Sequence, residues 1–212
     1  MTRSGAIAAI VLAGGRATRL GGGDKPLRLL GGKPMLAHIL DRLEPQVEAI
    51  AISANGDPAR FAEYGLPVLA DERHWAQAGP LAGVLSGMTW AKAEGLSRVL
   101  TVAGDTPFFP LDLTARFSKA VAGHADRVAV AASGGRRHPV FAMWPISLEA
   151  DLREFLAESA TYSVAAFLER HETIDVDFPM ASVAGKKLDP FLNVNTPEDL
   201  AEADAAMRGE NP

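Results

Sequence analysis

At 212 residues, with 48% hydrophobic and 22% charged side chains, the chain is long enough to bury a core and ordinary for a globular protein. A formal net charge of −5 argues against a non-specific nucleic-acid binder, and the absence of cysteine removes disulfides, thiolate nucleophiles and thiolate zinc sites together. No run approaches the ~20 apolar residues of a membrane span, and the short apolar stretch after Met1 leads into glycines and arginines rather than a cleavage site, so a cytoplasmic protein with no membrane or nucleic-acid partner is expected.

Ala6 to Val11 is a continuous apolar run, the pattern of a strand buried on both faces. It runs straight into Leu12-Ala13-Gly14-Gly15-Arg16-Ala17-Thr18-Arg19-Leu20 and on through three glycines to Asp24-Lys25. Glycines let backbone N–H groups approach phosphate oxygens, and the basic side chains supply counter-charge. The chain has no Gly-Lys-Ser or Gly-Lys-Thr, which excludes the Walker pattern, and the loop lacks the Gly-x-Gly-x-x-Gly of a dinucleotide fold. A third kind of phosphate cradle is therefore expected, against the alternative of a plain glycine turn.

Helical spacing of Leu36, Ile39, Leu40 and Leu43 predicts a helix over Met35–Leu43, followed by a strand at Val47–Ser53 and a short one at Pro67–Ala70. Gly79-Pro80 opens a helix to about Glu94, Arg98–Ala103 reads as a strand, and Leu111–Val121 as a helix. Val128–Ala132 and Pro139–Met143 are expected to pair around Ser133-Gly-Gly-Arg-Arg137. Helices at about Ser147–Glu158 and Ser163–Arg170 precede a strand at Thr173–Phe178, and Thr196-Pro197-Glu198-Asp199 caps a last helix. This alternation predicts an α/β fold, a three-layer α-β-α arrangement around a mostly parallel, Rossmann-like central sheet. One domain over 1–212 is expected, with a nucleotide-binding part at about 1–107 and an acceptor-binding part at about 108–208.

Ligands of such sheets bind at the carboxyl ends of the strands. Four strands end there in polar groups: the Leu12–Lys25 loop, Ser53–Asn55, Asp71 and Asp105. Asp105, directly after an apolar strand, suits Mg²⁺, which takes one or two carboxylates plus substrate phosphates; a turn aspartate is the alternative. Lys25 and Arg19 are candidate point charges for phosphate, or else solvated side chains, with Lys25 paired to Asp24. Asn55 and Asp71 suit a base edge or ribose, or simple turn and capping chemistry. Asn193 and Asn195 share a face if extended and would orient a metal ligand or second substrate, or else cap the helix that follows. His138, beside Arg136 and Arg137, is a candidate anion contact in a basic turn.

Together these residues resemble the GT-A-like nucleotidyltransferases (the nucleotide-diphospho-sugar transferase type), whose opening motif is matched by Leu12-Ala13-Gly14-Gly15, Arg19-Leu20-Gly21 and Lys25. Within that superfamily the chain resembles the molybdenum cofactor guanylyltransferases through Asp24-Lys25, Gly31-Gly-Lys-Pro34, Asp71, Gly79-Pro-Leu-Ala-Gly83, Gly104-Asp-Thr-Pro107, His138-Pro-Val-Phe141 and Asn193-Val-Asn-Thr-Pro197. The resemblance implies GMP transfer from GTP to the phosphate of Mo-molybdopterin, with pyrophosphate as by-product. It assigns GTP binding to Leu12, Ala13, Gly14, Gly15, Lys25, Asn55, Asp71 and Asp105, catalysis to Arg19, Lys25 and Asp105, and Mg²⁺ to Asp105. The acceptor side would fall to His138, Asn193 and Asn195, with transient contacts to molybdopterin-delivery proteins and molybdoenzyme chaperones. Pro26 departs from the Gly or Leu common after the Asp-Lys pair, which bears on the choice of base. The alternatives are cytidylyl transfer to molybdopterin, nucleotidyl transfer to a sugar or polyol phosphate, a non-catalytic nucleotide-binding module, and a dinucleotide-dependent oxidoreductase.

Overall fold

The computed structural model describes residues 6–14, 24–159, 161–183 and 186–209. Its elements in chain order are β1 (Ile7–Leu12), β2 (Leu29–Leu30), β3 (Lys33–Pro34), α1 (Met35–Leu43), β4 (Ala49–Ser53), β5 (Val68–Leu69), α2 (Pro80–Ala93), β6 (Arg98–Ala103) and α3 (Leu113–Ala120). There follow β7 (Val128–Ser133), β8 (Arg136–Pro145), α4 (Glu149–Glu158), α5 (Val164–Leu168), β9 (Thr173–Asp177), β10 (Ala181–Val183), β11 (Lys186–Leu188) and α6 (Pro197–Gly209).

Seven strands form the central sheet in the order β5-β4-β1-β6-β8-β7-β9. β5, β4, β1 and β6 run parallel, as do β7 and β9, while β8 is antiparallel to both its neighbours. The sheet is mostly parallel, as expected, and its one reversed strand belongs to the hairpin expected around Ser133–Arg137. That reversal carries the start of β8, Arg136 to His138, to the same edge as the carboxyl ends of the others.

β1 shows why the opening run is continuously apolar. Ala9 and Val11 pack on one face with α1 and α3 through Leu36, Ile39, Leu113 and Phe117. Ala8 and Ile10 pack on the other with α2, α4 and α5 through Leu85, Met88, Leu152 and Phe167. A strand covered on both sides cannot alternate polar and apolar residues. A third apolar cluster, Leu30, Met35, Phe108, Leu188, Val194 and Ala203, fastens the C-terminal segment to the β2–β3 hairpin.

α2 lies unusually close to the sheet. A Cβ on Gly83 would stand 2.5 Å from Ser53 Oγ and 2.6 Å from Leu12 Cδ2. Gly83→Ala gains about 1 kcal/mol of helix propensity, but overpacking costs about 1–3 kcal/mol. We therefore expect a net loss of about 1 kcal/mol in urea unfolding; a variant as stable as wild type would show that the helix can move away at no cost.

Several sequence boundaries shift. Residues 25–27 form a single 3-10 turn with Pro26 inside it. The helix expected from Ser147 starts as a 3-10 turn at Ile146–Leu148 and becomes α-helical at Glu149, and the Ser163–Arg170 helix shortens to α5. The β10–β11 hairpin was not anticipated.

Candidate active site

The site is built along the carboxyl edge of the sheet. Between β4 and β6, the end of β1 is knitted by backbone bonds from Ala13 N to Ser53 O at 2.9 Å and from Gly104 N to Leu12 O at 3.0 Å. This seats Leu12, Ala13 and the exposed Gly14 between the segments carrying Asn55 and Asp105. A Cβ on Gly104 would lie 3.0 Å from both Leu12 O and Pro26 Cγ, so glycine lets the Asp105 turn close onto the loop. Gly15, Arg16 and Arg19 lie outside the described residues.

Lys25 does not pair with Asp24. Its Nζ, on a side chain only 12% exposed, stands 2.5 Å from Asp105 Oδ2 and also donates to Asn195 Oδ1. Asp105 Oδ1 accepts the Thr106 hydroxyl at 3.1 Å, and that hydroxyl also lies 2.6 Å from Asn193 Oδ1. Val194 N donates to Asp105 O at 2.8 Å. In this extended segment Val194 is fully buried in the third cluster, so both asparagines turn the other way, onto Lys25, Asp105 and Thr106. The shared face read from the sequence is real, and it belongs to the Asp105 centre.

Thr196 and Asp199 close a reciprocal cap below it. Asp199 Oδ2 accepts the N–H groups of Asn195 and Thr196, each at 2.8 Å, while Asp199 N donates to Thr196 Oγ at 3.1 Å. Burial works to raise the Asp199 carboxyl. The backbone donors of Asn195 and Thr196, the Thr196 hydroxyl and the Lys25 charge outweigh it and hold it below its ordinary value.

On the other flank, Asn55 and Asp71 bond each other. Asn55 Nδ2 donates to Asp71 Oδ2 at 2.7 Å, and Asp71 N donates to Asn55 Oδ1 at 2.9 Å. Burial raises the Asp71 carboxyl against the opposing pull of the Asn55 amide. Its Oδ1 is buried with no hydrogen-bond partner among the described residues. Such an oxygen is costly to leave unmade and is suited to a ligand N–H. Arg60, which no motif marked, donates to Asn55 O at 2.6 Å and faces Asp24 Oδ2 at 3.4 Å, tying the Asn55 segment to the exit of the glycine loop.

His138 stands apart from Lys25 in its contacts. Its ring stacks on Phe191 with centroids 4.6 Å apart, and its Nε2 lies 2.7 Å from the buried Ser133 hydroxyl. Burial, reinforced by the Arg136 charge, lowers the His138 pKa despite the nearby Asp189 carboxylate. Thr106, Ser133 and Asp189 were missed from the sequence; only Thr106, inside Gly104-Asp-Thr-Pro107, stood within a motif.

No group of three or more His, Asp or Glu capable of caging a metal occurs among the described residues. That does not exclude Mg²⁺, which needs one or two carboxylates when substrate phosphates and water complete its shell. A lone hard carboxylate beside a phosphate loop fits that ion and does not fit zinc. Lys25 already holds one of the two oxygens that a cation at Asp105 would use.

Residues 9–174 match the model of the MobA-like NTP transferase domain. The chain belongs to that family. It is 52% identical over 198 residues to a molybdenum cofactor guanylyltransferase of Mesorhizobium japonicum, covering 93% of this chain and 94% of the relative. A Bradyrhizobium protein of the same name is 46% identical over 206 residues, covering 95% and 94%. Among solved structures, molybdopterin-guanine dinucleotide biosynthesis protein A from Archaeoglobus fulgidus superposes with a TM-score of 0.72 at 20% identity, over 95% of this chain and 98% of that one. The same TM-score of 0.72 is reached by 4-diphosphocytidyl-2C-methyl-D-erythritol synthase from Anaerococcus prevotii at 16% identity, over 97% of each chain. At such identities those two structures bear on the fold, which is that of the nucleotidyltransferases. No helix among the described residues is long and apolar enough to cross a membrane.

Proposed function

We propose that the protein transfers GMP from GTP to the phosphate of Mo-molybdopterin in the cytoplasm, giving the guanine dinucleotide cofactor and pyrophosphate. The name carried by relatives at about half identity supports the reading, and the observation that carries its chemistry is the cluster of Lys25, Asp105, Thr106, Asn193 and Asn195 at the mouth of the glycine loop.

An oxygen of the acceptor phosphate attacks the α-phosphorus of GTP. The new P–O bond forms as the bond to the bridging oxygen breaks, and pyrophosphate leaves with the electron pair. The attacking oxygen is already anionic, so no general base is required. The barrier is the meeting of two anions and the charge gathered on the leaving group. Lys25 and the loop N–H groups from Gly14 onward neutralise that charge, with Arg19 as a further cation. Mg²⁺ would be held by Asp105 and would supply charge neutralisation on the phosphates. Asn193 and Asn195 orient the acceptor phosphate, and His138 serves the pterin side, dividing the chain into a nucleotide part (1–107) and an acceptor part (108–208). Delivery proteins and molybdoenzyme chaperones would meet the acceptor part.

The names of the relatives favour guanine, and the unpaired Asp71 Oδ1 is the acceptor offered to one of its N–H groups. The Watson–Crick edge of guanine offers adjacent N–H donors at N1 and N2, whereas the edge of cytosine has one amino donor between an acceptor nitrogen and a carbonyl. The test is pyrophosphate release from each of the four NTPs, with and without molybdopterin. GTP should be preferred, and release should require the acceptor. Asp71→Ala should raise the KM for GTP about tenfold to a hundredfold, the span of one or two lost hydrogen bonds to a charged group, with little change for CTP. Preferred use of CTP by the wild-type enzyme would overturn the guanylyl reading.

A further inference from the structure

Asp189 and Ser133 lie outside the machinery just described, yet they decide what the His138 ring can offer. The Ser133 hydroxyl, on a residue 1% exposed, sits 2.7 Å from Asp189 Oδ1 and 2.7 Å from His138 Nε2. A hydroxyl has one proton. Asp189 Oδ1 also accepts Phe191 N–H at 2.9 Å, so the carboxylate is an acceptor throughout. The Ser133 proton therefore goes to Asp189, and the Ser133 oxygen is left to accept from His138. That contact exists only if Nε2 carries the hydrogen.

With burial and Arg136 keeping the ring neutral, Nδ1 is then bare. It hydrogen-bonds no described residue and is not among the buried polar atoms that lack a partner, so solvent reaches it. The backbone explains why the ring sits here. β7 pairs Val130 with Ala142 but Ala131 with His138, which leaves Pro139, Val140 and Phe141 bulged out. Proline, without an N–H, suits the bulge, and the buried Thr101 hydroxyl takes the Val140 carbonyl at 2.6 Å. The bulge re-aims His138 against Phe191, two residues before Asn193.

We propose that Asp189, acting through Ser133, is a positioning residue that holds His138 in the Nε2–H tautomer, so that Nδ1 accepts a hydrogen bond from an N–H or O–H donor of the acceptor substrate. This rests on the guanylyl-transfer reading for the identity of the acceptor, and on hydrogen accounting around a neutral ring for the tautomer. Asp189 also accepts the Phe191 N–H at the start of the segment that leads to Asn193 and Asn195.

The experiment combines nitrogen-15 spectra of the histidine rings with steady-state kinetics. His138, assigned by the signal lost in His138→Gln, should show a protonated Nε2 and an unprotonated Nδ1 at neutral pH. Ser133→Ala should mix the two tautomers and raise the KM for molybdopterin about tenfold, the weight of one hydrogen bond, while the KM for GTP stays within twofold. Asp189→Asn retains an acceptor oxygen and should keep the wild-type tautomer and both KM values. A protonated Nδ1 in the wild type, an unchanged acceptor KM in Ser133→Ala, or equal rises in both KM values would overturn the proposal. So would an Asp189→Asn enzyme that behaves like Ser133→Ala, since charge rather than the relay would then be at work. If the wild type transfers no GMP, the functional reading falls; a fixed tautomer lost in Ser133→Ala would still uphold the relay.

Discussion

Asp105→Asn should lower Mg²⁺-dependent GMP transfer by roughly three orders of magnitude, on the order of 4 kcal/mol of transition-state stabilisation. The substitution is nearly isosteric. Gly104 still lets the turn close onto Leu12 O, and Val194 N still finds the residue-105 carbonyl. Asparagine can also keep the Thr106 hydroxyl at Oδ1. What disappears is the charge at the end of β6. Unfolding stability should fall by only about 1–2 kcal/mol, because the Lys25 ammonium retains the Asn195 carbonyl and is reached by some solvent. The measurement is turnover across a magnesium titration, with a thermal melt alongside. Near wild-type turnover at saturating magnesium would remove Asp105 from the centre; a collapse of the melt would make the activity loss uninformative about charge, and Asp105→Glu would then have to restore it.

The layers of this fold were legible because each rests on a local pattern. A strand covered on both faces must be apolar throughout, as Ala6 to Val11 is, and α1 occupies the residues that helical spacing assigned. The edge was legible too, because strand ends are where a parallel sheet leaves polar groups unpaired. What stayed hidden depends on pairs distant in sequence. Lys25 stands next to Asp24 in the chain, but the carboxylate it meets is 80 residues away and the amide 170 away. Arg60 carries no sequence signal, since its role comes from two segments that meet only in the folded sheet. The insertion of β8 beside β6 was equally unmarked. A tight Gly134-Gly135 turn announces a hairpin, but not which of its strands inserts beside β6. His138 reaches the carboxyl edge of the sheet through the antiparallel insertion of β8, which its basic neighbours did not reveal.

Lys25→Met should change two measurements in opposite directions, and that separates its roles. The ammonium sits on Asp105 Oδ2, so Lys25 neutralises the carboxylate proposed to hold Mg²⁺. Methionine keeps an apolar stem of similar length and removes the charge. Freed of its cation, Asp105 should bind Mn²⁺, a spectroscopically visible stand-in for Mg²⁺, more tightly than wild type when no nucleotide is present. Turnover should nevertheless fall about a hundredfold to a thousandfold in kcat/KM for GTP, the usual effect of losing one preorganised charge on a developing oxyanion. Lys25→Arg should recover little of it, because a planar guanidinium cannot replace a point charge held between Asp105 and Asn195. On this reading Lys25 and a metal ion compete for the Asp105 carboxylate, and the lysine's contribution to turnover is a separate one, made at the phosphates. If Lys25→Met weakened Mn²⁺ binding as well as turnover, the lysine would be helping to build the metal site rather than competing for it. If both were unchanged, Lys25 would be a structural partner of Asp105 and Asn195 alone.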